Sequence, residues 1–386
     1  MLNFPIYLDN HSTTQVDPAV VEAMFPFFTE HYGNPSSKRH KFGWIAEAAV
    51  EQARSKISEI LNCLPNEIIF TSGATESNNL AIRGIIEVYS SKGKHIITSE
   101  FEHPSVLEVF KFYEKKGFKV TYLKPTSDGF IKIEQVKDAI RKDTILVSII
   151  WANNEIGTIQ PIDEIAQLCE ENGILFHTDG VQALGKIKID LTNSKIHLAS
   201  FNAHKLHGPK GIGFLYIKKK FPQIKISPIF FGGGQEKGLR SGTLNVPLIV
   251  GLYKCIEIAY SNFDENFYKM KYLRDKLFFG LKEKTNNIEI NGSLTNRLPN
   301  NLNIRIPDIH ADLLFAEIKE IAFSTGSACL TEKGTPSHVL KAIGLSDEQI
   351  NSSIRFGISR FNTEEEIDYT ISKFSEVIKK IIGINL

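Results

Sequence analysis

The sequence predicts an α/β fold: a mostly parallel sheet with helices on both faces, followed by a smaller α+β part. Three observations carry this. Between residues 67 and 201, short apolar segments alternate with helical patterns across short loops, and parallel strands require such crossovers. The segment 144–150 is apolar almost throughout, as in a strand buried on both faces. Around Pro247 the texture changes, and two helices lead into a second set of strands. A chain of 386 residues accommodates two domains. The division expected is a large domain over 15–260 and a small one built from 1–14 and 261–386.

Each element has a local reason. Ile6-Tyr7-Leu8 is a short extended piece, followed by the polar run 9–14. Asp17-Pro18 reads as a helix start, with Val20, Val21, Met24 and Phe28 as its apolar face. Gly33-Asn34-Pro35 breaks the chain, and an Ala- and Glu-rich helix spans about 44–61. Strands are expected at 67–71, 94–98, 119–123, 144–150, 174–176 and 198–201. Helices fall between them, at 72–84, 104–116, 133–140 and 162–171. The segment 213–217 reads as an antiparallel return after a glycine turn. Beyond the helices 248–260 and 265–284 come strands at 288–290, 301–306, 321–323 and 353–358. Between them lie helices at 311–319 and 336–343. The last helix starts at Thr363, with Glu366 three residues on as a capping box.

Bulk properties exclude several classes. A net charge of +1 provides no field to attract nucleic acid or an anionic membrane surface. No apolar run approaches the length of a membrane span, and no basic-then-apolar leader precedes Asp9. The four cysteines, Cys63, Cys169, Cys255 and Cys329, form no C-x-x-C pair, which argues against a zinc ribbon or disulfide scaffold and fits a reducing compartment. A cytoplasmic protein is expected.

The polar residues of interest follow apolar strands: Thr75, His103, Asn154, Asp179 and Lys205. Ligands in parallel sheets bind at the carboxyl ends of strands. A loop lysine alone reads as surface. Lys205, between His204 and a glycine-rich turn after a buried strand, reads as a Schiff-base lysine. Gly73-Ala74-Thr75 opens a helix after a strand, which suits an anion; Gly232-Gly233-Gly234 with Arg240-Ser241-Gly242-Thr243 is a second glycine-rich stretch. Neither matches the P-loop or the dinucleotide fingerprint. Asp179 suits a protonated pyridine nitrogen, as a pyridoxal cofactor needs, or caps its own turn. His103 reads as an acid/base group, a ring that stacks on a flat cofactor, or a satisfied helix-start histidine. The His204–His207 spacing is poor as a metal site for want of an acidic ligand. Cys169 and Cys255 read as packing. Cys329 lies in a long small-residue loop where a thiol reaches and reacts. Arg355 reads as a cation for a carboxylate, or as an ion pair with the last helix.

Taken in order, Gly73-Ala74-Thr75-Glu76, Glu102-His103, Asn153-Asn154-Glu155, His177-x-Asp179-x-x-Gln182, His204-Lys205, Arg240-Ser241-Gly242-Thr243 and Ser324-x-Gly326-Ser327-Ala328-Cys329 form a set that resembles the cysteine desulfurases of the IscS/NifS type, pyridoxal-phosphate-dependent enzymes of the class V aminotransferases. The resemblance spans nearly the whole chain and implies the fold type I architecture. It implies that Lys205 holds pyridoxal 5'-phosphate covalently, His103 stacks on its ring and shuttles protons, and Asp179 pairs with the ring nitrogen. Gln182 and Asn154 would bond the ring oxygen. Ala74, Thr75, His204 and Asn202 would bind the phosphate, joined by Thr243 from a neighbouring subunit of a homodimer. Arg355 and Asn154 would hold the carboxylate of L-cysteine. Cys329 would take the sulfur as a persulfide and pass it to an acceptor protein, an iron–sulfur scaffold. Two departures stand out: Asn202 occupies a position that is commonly serine, and Leu330 follows Cys329 where a polar residue is usual. The sequence ends at Leu386, short of the C-terminal segment of IscS-like members, which leans toward a NifS-like or specialised branch.

Overall fold

In this computed structural model the described residues are 2–285, 288–325 and 336–383. Twelve strands are present among them: β1 (Ile6–Tyr7), β2 (Ile68–Thr71), β3 (His95–Ser99), β4 (Lys119–Leu123), β5 (Thr144–Ser148), β6 (Leu175–Asp179), β7 (Leu198–Asn202), β8 (Gly213–Ile217), β9 (Glu289–Ile290), β10 (Asn301–Arg305), β11 (Ile321–Ala322) and β12 (Ser353–Gly357). The large sheet has the order β2-β8-β7-β6-β5-β3-β4. Only β8 runs against its neighbours, as the glycine turn before it predicts. The carboxyl ends of β2, β3, β5, β6 and β7 therefore share one edge.

Alternation along each strand builds a core on each face. Ile69, Ile96, Leu146, Leu198 and Leu215 pack under the helices Ala74–Tyr89 and Pro104–Glu114. Ile68, Phe70, Ile97, Val147 and Phe214 pack under the helices Lys41–Ile60 and Val246–Ser261. A separate core joins Ile6 and Leu8 to Leu273, Leu277, Ile304, Phe356 and Phe374. Around it lie the antiparallel sheet β12-β10-β9, the parallel pair β1-β11, and the helices Phe263–Thr285 and Glu364–Ile381.

The structure corrects three readings. Val21 and Phe28 are 49% and 55% exposed; only Val20 and Met24 of that set are buried, because the helix Pro18–Met24 packs through a narrower face and Phe28 belongs to the separate short helix Pro26–Thr29, which buries no residue. The helix after Gly73 does not end at Gly84 but runs to Tyr89. Gly84 serves close approach instead: a Cβ there would lie 2.1 Å from Ile226 Cγ2. The short helices Pro26–Thr29 and Asp347–Asn351 were not legible as separate elements.

One buried ion pair ties the glycine-rich stretch to the large sheet. Arg54 donates to both carboxylate oxygens of Glu236, at 3.0 and 2.6 Å, and to Ile68 C=O at 2.7 Å. Phe70 N–H donates to Glu236 at 2.8 Å. Removing one partner strands a buried charge. Arg54→Met is expected to cost about 3–5 kcal/mol, and Arg54→Met with Glu236→Gln less than that, in urea unfolding.

Candidate active site

The strand ends open into a cavity of about 590 Å³. Ten of the residues singled out above line it: Ala74, Thr75, His103, Asn154, Asp179, Gln182, Asn202, His204, Lys205 and Arg355. Thr243 is exposed and lies outside it. Cys329 falls outside the described residues.

Lys205 stands three residues beyond β7. Its ammonium donates to the carbonyls of His11, at 2.5 Å, and Ser12. Behind it Lys186, 4% exposed, donates to Lys205 C=O at 3.1 Å. Burial and the charge of Lys205 pull the Lys186 pKa down to about 7. Asp179 ends β6 and is 3% exposed. One oxygen caps its own turn through Val181 N–H, 3.1 Å; the other accepts from Asn78, 2.8 Å. Among the described residues it makes no ion pair, so the cap and a cation-seeking carboxylate coexist in one side chain.

His103 caps the helix Pro104–Glu114, with Ser105 N–H donating to Nδ1 at 3.1 Å. A nitrogen that accepts a backbone N–H carries no proton, so the neutral ring holds its hydrogen on Nε2. Burial lowers the His103 pKa, and the charge of Asp179 opposes that. His204 is tied to Thr13 Oγ1 at 3.2 Å, and burial with the charges of Lys205 and Lys210 pushes it down to about 4. His207 turns away: its Nδ1 meets Gln15 C=O at 3.0 Å and its ring packs on Phe361. His204 and His207 do not converge, and among the described residues no cluster of three or more His, Cys, Asp or Glu side chains is placed to hold a metal.

The anion cradle rests on two glycines. Gly73, at φ +145°, precedes the helix Ala74–Tyr89 without a side-chain cap. Gly213 passes against it: a Cβ on Gly213 would sit 2.9 Å from Gly73 Cα and 2.3 Å from Phe201 C=O. The first helical bond is Ser77 N–H to Gly73 C=O, so the amides of Ala74, Thr75 and Glu76 make no bond within the helix and carry its positive end. Glu76 is neutralised by Arg240 at 2.8 Å, which keeps its carboxylate from opposing an anion.

Arg355, on β12, is 2% exposed and pairs with Asp9 at 3.0 Å, not with the last helix. It also donates to Asn154 C=O at 2.9 Å. Further titratable residues also line the cavity, among them Glu155, which the Asn153-Asn154-Glu155 motif contains, and His11 and His338, to which the sequence assigned no role. His338 meets Glu102 C=O at 2.9 Å, and Glu155 accepts from Ser337 at 2.5 Å. The polar run after β1 was a signal for His11; nothing in the sequence marked His338.

These residues fit pyridoxal phosphate. The amide oxygens of Asn154 and Asn202 are enclosed without partners among the described residues. A buried carboxylate that makes no ion pair among the described residues, a lysine amine and an open helix start face one space, which suits a ring nitrogen, an aldehyde and a phosphate.

Residues 6–370 match the family described as Aminotransferase class-V. The chain belongs to that family. A "Cysteine desulfurase IscS" of Anaeromyxobacter dehalogenans (strain 2CP-C) is 47% identical over 380 residues, 98% of this chain and 94% of that one. The solved structure titled "NIFS-LIKE PROTEIN" superposes with a TM-score of 0.91 at 40% identity, covering 97% of this chain and 100% of that one. A second, "SspA in complex with cysteine", gives 0.83 at 38%, over 93% and 100%. This class-V aminotransferase therefore has the fold type I architecture and takes pyridoxal phosphate as its cofactor.

Glu102, the residue before His103, is fully buried, and burial raises its pKa to about 8. The unfolded chain ionises this group near pH 4.5 while the folded one stays protonated to about 8, so its contribution to stability falls as the pH rises between the two. Glu102→Gln keeps the acceptor for Ser99 and Ile150 N–H. Its melting temperature is expected to gain several degrees on the wild type at pH 8 and little at pH 5.

Proposed function

We propose that this class-V aminotransferase is a cysteine desulfurase. It converts L-cysteine to L-alanine and carries the sulfur as a persulfide on Cys329 toward an acceptor protein, with iron–sulfur cluster assembly as the destination. The observation that carries this reading is the convergence of Lys205, His103, Asp179 and Arg355 on one cavity, in a chain 47% identical to a relative of that name.

The bound cofactor supplies an electron sink for the carbon next to the substrate nitrogen. Lys205 holds it and then takes the Cα proton on its amine. Asp179 keeps the ring nitrogen protonated. Asn154 and Gln182 address the ring oxygen, while Ala74, Thr75, Asn202 and His204 take the phosphate. Burial and the charges of Lys205, Lys210 and Lys186 favour the neutral His204 ring, which still offers one N–H. Arg355, held ready by Asp9, binds the substrate carboxylate with Asn154 beside it. His103, with its proton on Nε2, would stack on the cofactor and serve as an acid/base group. In the net step the C–S bond of cysteine breaks and an S–S bond to Cys329 forms. The Cys329 thiol and the substrate give Cys329–S–SH and a methyl group, so atoms and electrons balance without an added oxidant.

We further propose the division into a large domain, 15–260, and a small one, 1–14 with 261–386, working as a homodimer in the cytoplasm. Val21, Phe25 and Phe28, 49%, 61% and 55% exposed, form a stripe that suits a second copy. Thr243 would reach the neighbour's phosphate. Among the described residues no helix is long and apolar enough to cross a membrane. Equilibrium sedimentation is expected to return twice the chain mass.

Cys329→Ala is expected to abolish alanine release from L-cysteine while leaving the cofactor absorbance intact. Full activity in that variant would replace this reading with a lyase that needs no thiol. Arg355→Lys is expected to raise KM for L-cysteine about tenfold or more, with a smaller change in kcat, because a bidentate fork becomes a point charge.

A further inference from the structure

His11 takes no part in the chemistry proposed above, yet it is 1% exposed and lines the cavity beside Lys205. Its bonds determine one another. Gln182 Nε2 lies 3.3 Å from His11 C=O, and a carbonyl only accepts, so the amide nitrogen is on that side. Gln182 Oε1 is then the atom 3.1 Å from His11 Nδ1, so Nδ1 carries the hydrogen and donates. The other ring nitrogen, Nε2, is enclosed and has no partner among the described residues, so nothing there competes for the ring's orientation. Burial, with the charges of Arg355, Lys186 and Lys205, keeps the ring neutral and preserves this tautomer. The same His11 carbonyl receives the Lys205 ammonium at 2.5 Å.

Gln182 thus spends one amide hydrogen on His11 C=O and its oxygen on His11 Nδ1. Among the described residues it makes no other hydrogen bond. Its second amide hydrogen is left for what the cavity holds. A glutamine free to turn over would present oxygen half the time and repel an electron-rich ring oxygen.

We infer that His11 is a positioning residue: by gripping both ends of the Gln182 amide, it fixes the nitrogen side of Gln182 toward the cofactor held on Lys205. The inference rests on the cofactor reading and not on the identity of the substrate.

A double-mutant cycle tests it. His11→Leu, Gln182→Leu, the double variant and His11→Asn are purified, and two quantities are read without any amino acid. One is the pH titration of the bound cofactor's visible absorbance. The other is the dissociation constant of pyridoxal phosphate from the stripped protein. His11→Leu is expected to weaken cofactor binding about fivefold to tenfold, as one lost hydrogen bond does, and to move the titration in the same direction as Gln182→Leu. The double variant is expected to go no further than Gln182→Leu alone. His11→Asn, whose amide can donate to Gln182 Oε1, is expected to stay near the wild type. Additive effects, or a His11→Leu variant indistinguishable from the wild type, overturn the inference. Circular dichroism of the stripped proteins controls for folding; if His11→Leu fails to fold, His11→Phe, which keeps a ring, takes its place in the cycle. Alanine release from L-cysteine is assayed separately. A chain that shows the cycle but releases no alanine loses the desulfurase reading and keeps this one.

Discussion

The ammonium of Lys205 is held by two carbonyls of a segment almost two hundred positions earlier in the chain. That segment, residues 9–14, also reaches three other members of the site: Asp9 meets Arg355, His11 meets Gln182, and Thr13 meets His204. Thr14 accepts His207 N–H and donates to His204 C=O, so it also fixes the loop that carries Lys205. Remove this strip and Arg355, Lys205, Gln182 and the His204 loop lose their common reference. The sheet brings the strand ends to one edge; the strip keeps the loops beyond those ends in register with β12.

Burial then sets the charge state of each member. Glu102 becomes a neutral acid, His204 and His11 become neutral rings, and Lys186 is brought to the edge of deprotonation. Asp179 is enclosed with only neutral donors around it among the described residues. Cationic groups such as Lys205 and Arg355, and the Asp179 carboxylate, which makes no ion pair among the described residues, thus face one space. The arrangement suits a ligand that brings both a protonated ring nitrogen and an anionic phosphate.

Much of the fold was legible because alternating strand and helix patterns constrain topology strongly. Lys205, Asp179 and His103 stood out for a related reason: each comes after an apolar run, and strand ends are where sites form. What could not be read depends on packing between distant segments. Periodicity locates a face on the helix Pro18–Met24 but neither how much of it is covered nor where the helix ends, so Val21, and Phe28 in the next short helix, do not reach the core that the pattern suggests. Gly84 looked like a helix stop because glycine often is one; only the approach of Ile226 explains it mid-helix. His11 gains its meaning from Gln182, 171 positions away, and no local pattern carries such information.

The pairing of β1 with β11, and of Asp9 with Arg355, 346 positions apart, has a consequence for how the protein is made. Synthesis proceeds from the N-terminus, so β1 and Asp9 emerge long before β11 and Arg355, with which they pair. The seven-stranded sheet is complete in sequence by Ile217, long before β11 and β12 exist. β1 and Asp9 must stay without these partners while the sheet forms, although His11, Thr13 and Thr14 can already meet Gln182, His204 and His207; a short strand edge is left open at the stage when a chain is most prone to associate. The side of the cavity that carries Arg355 is therefore completed only once β12 has been made.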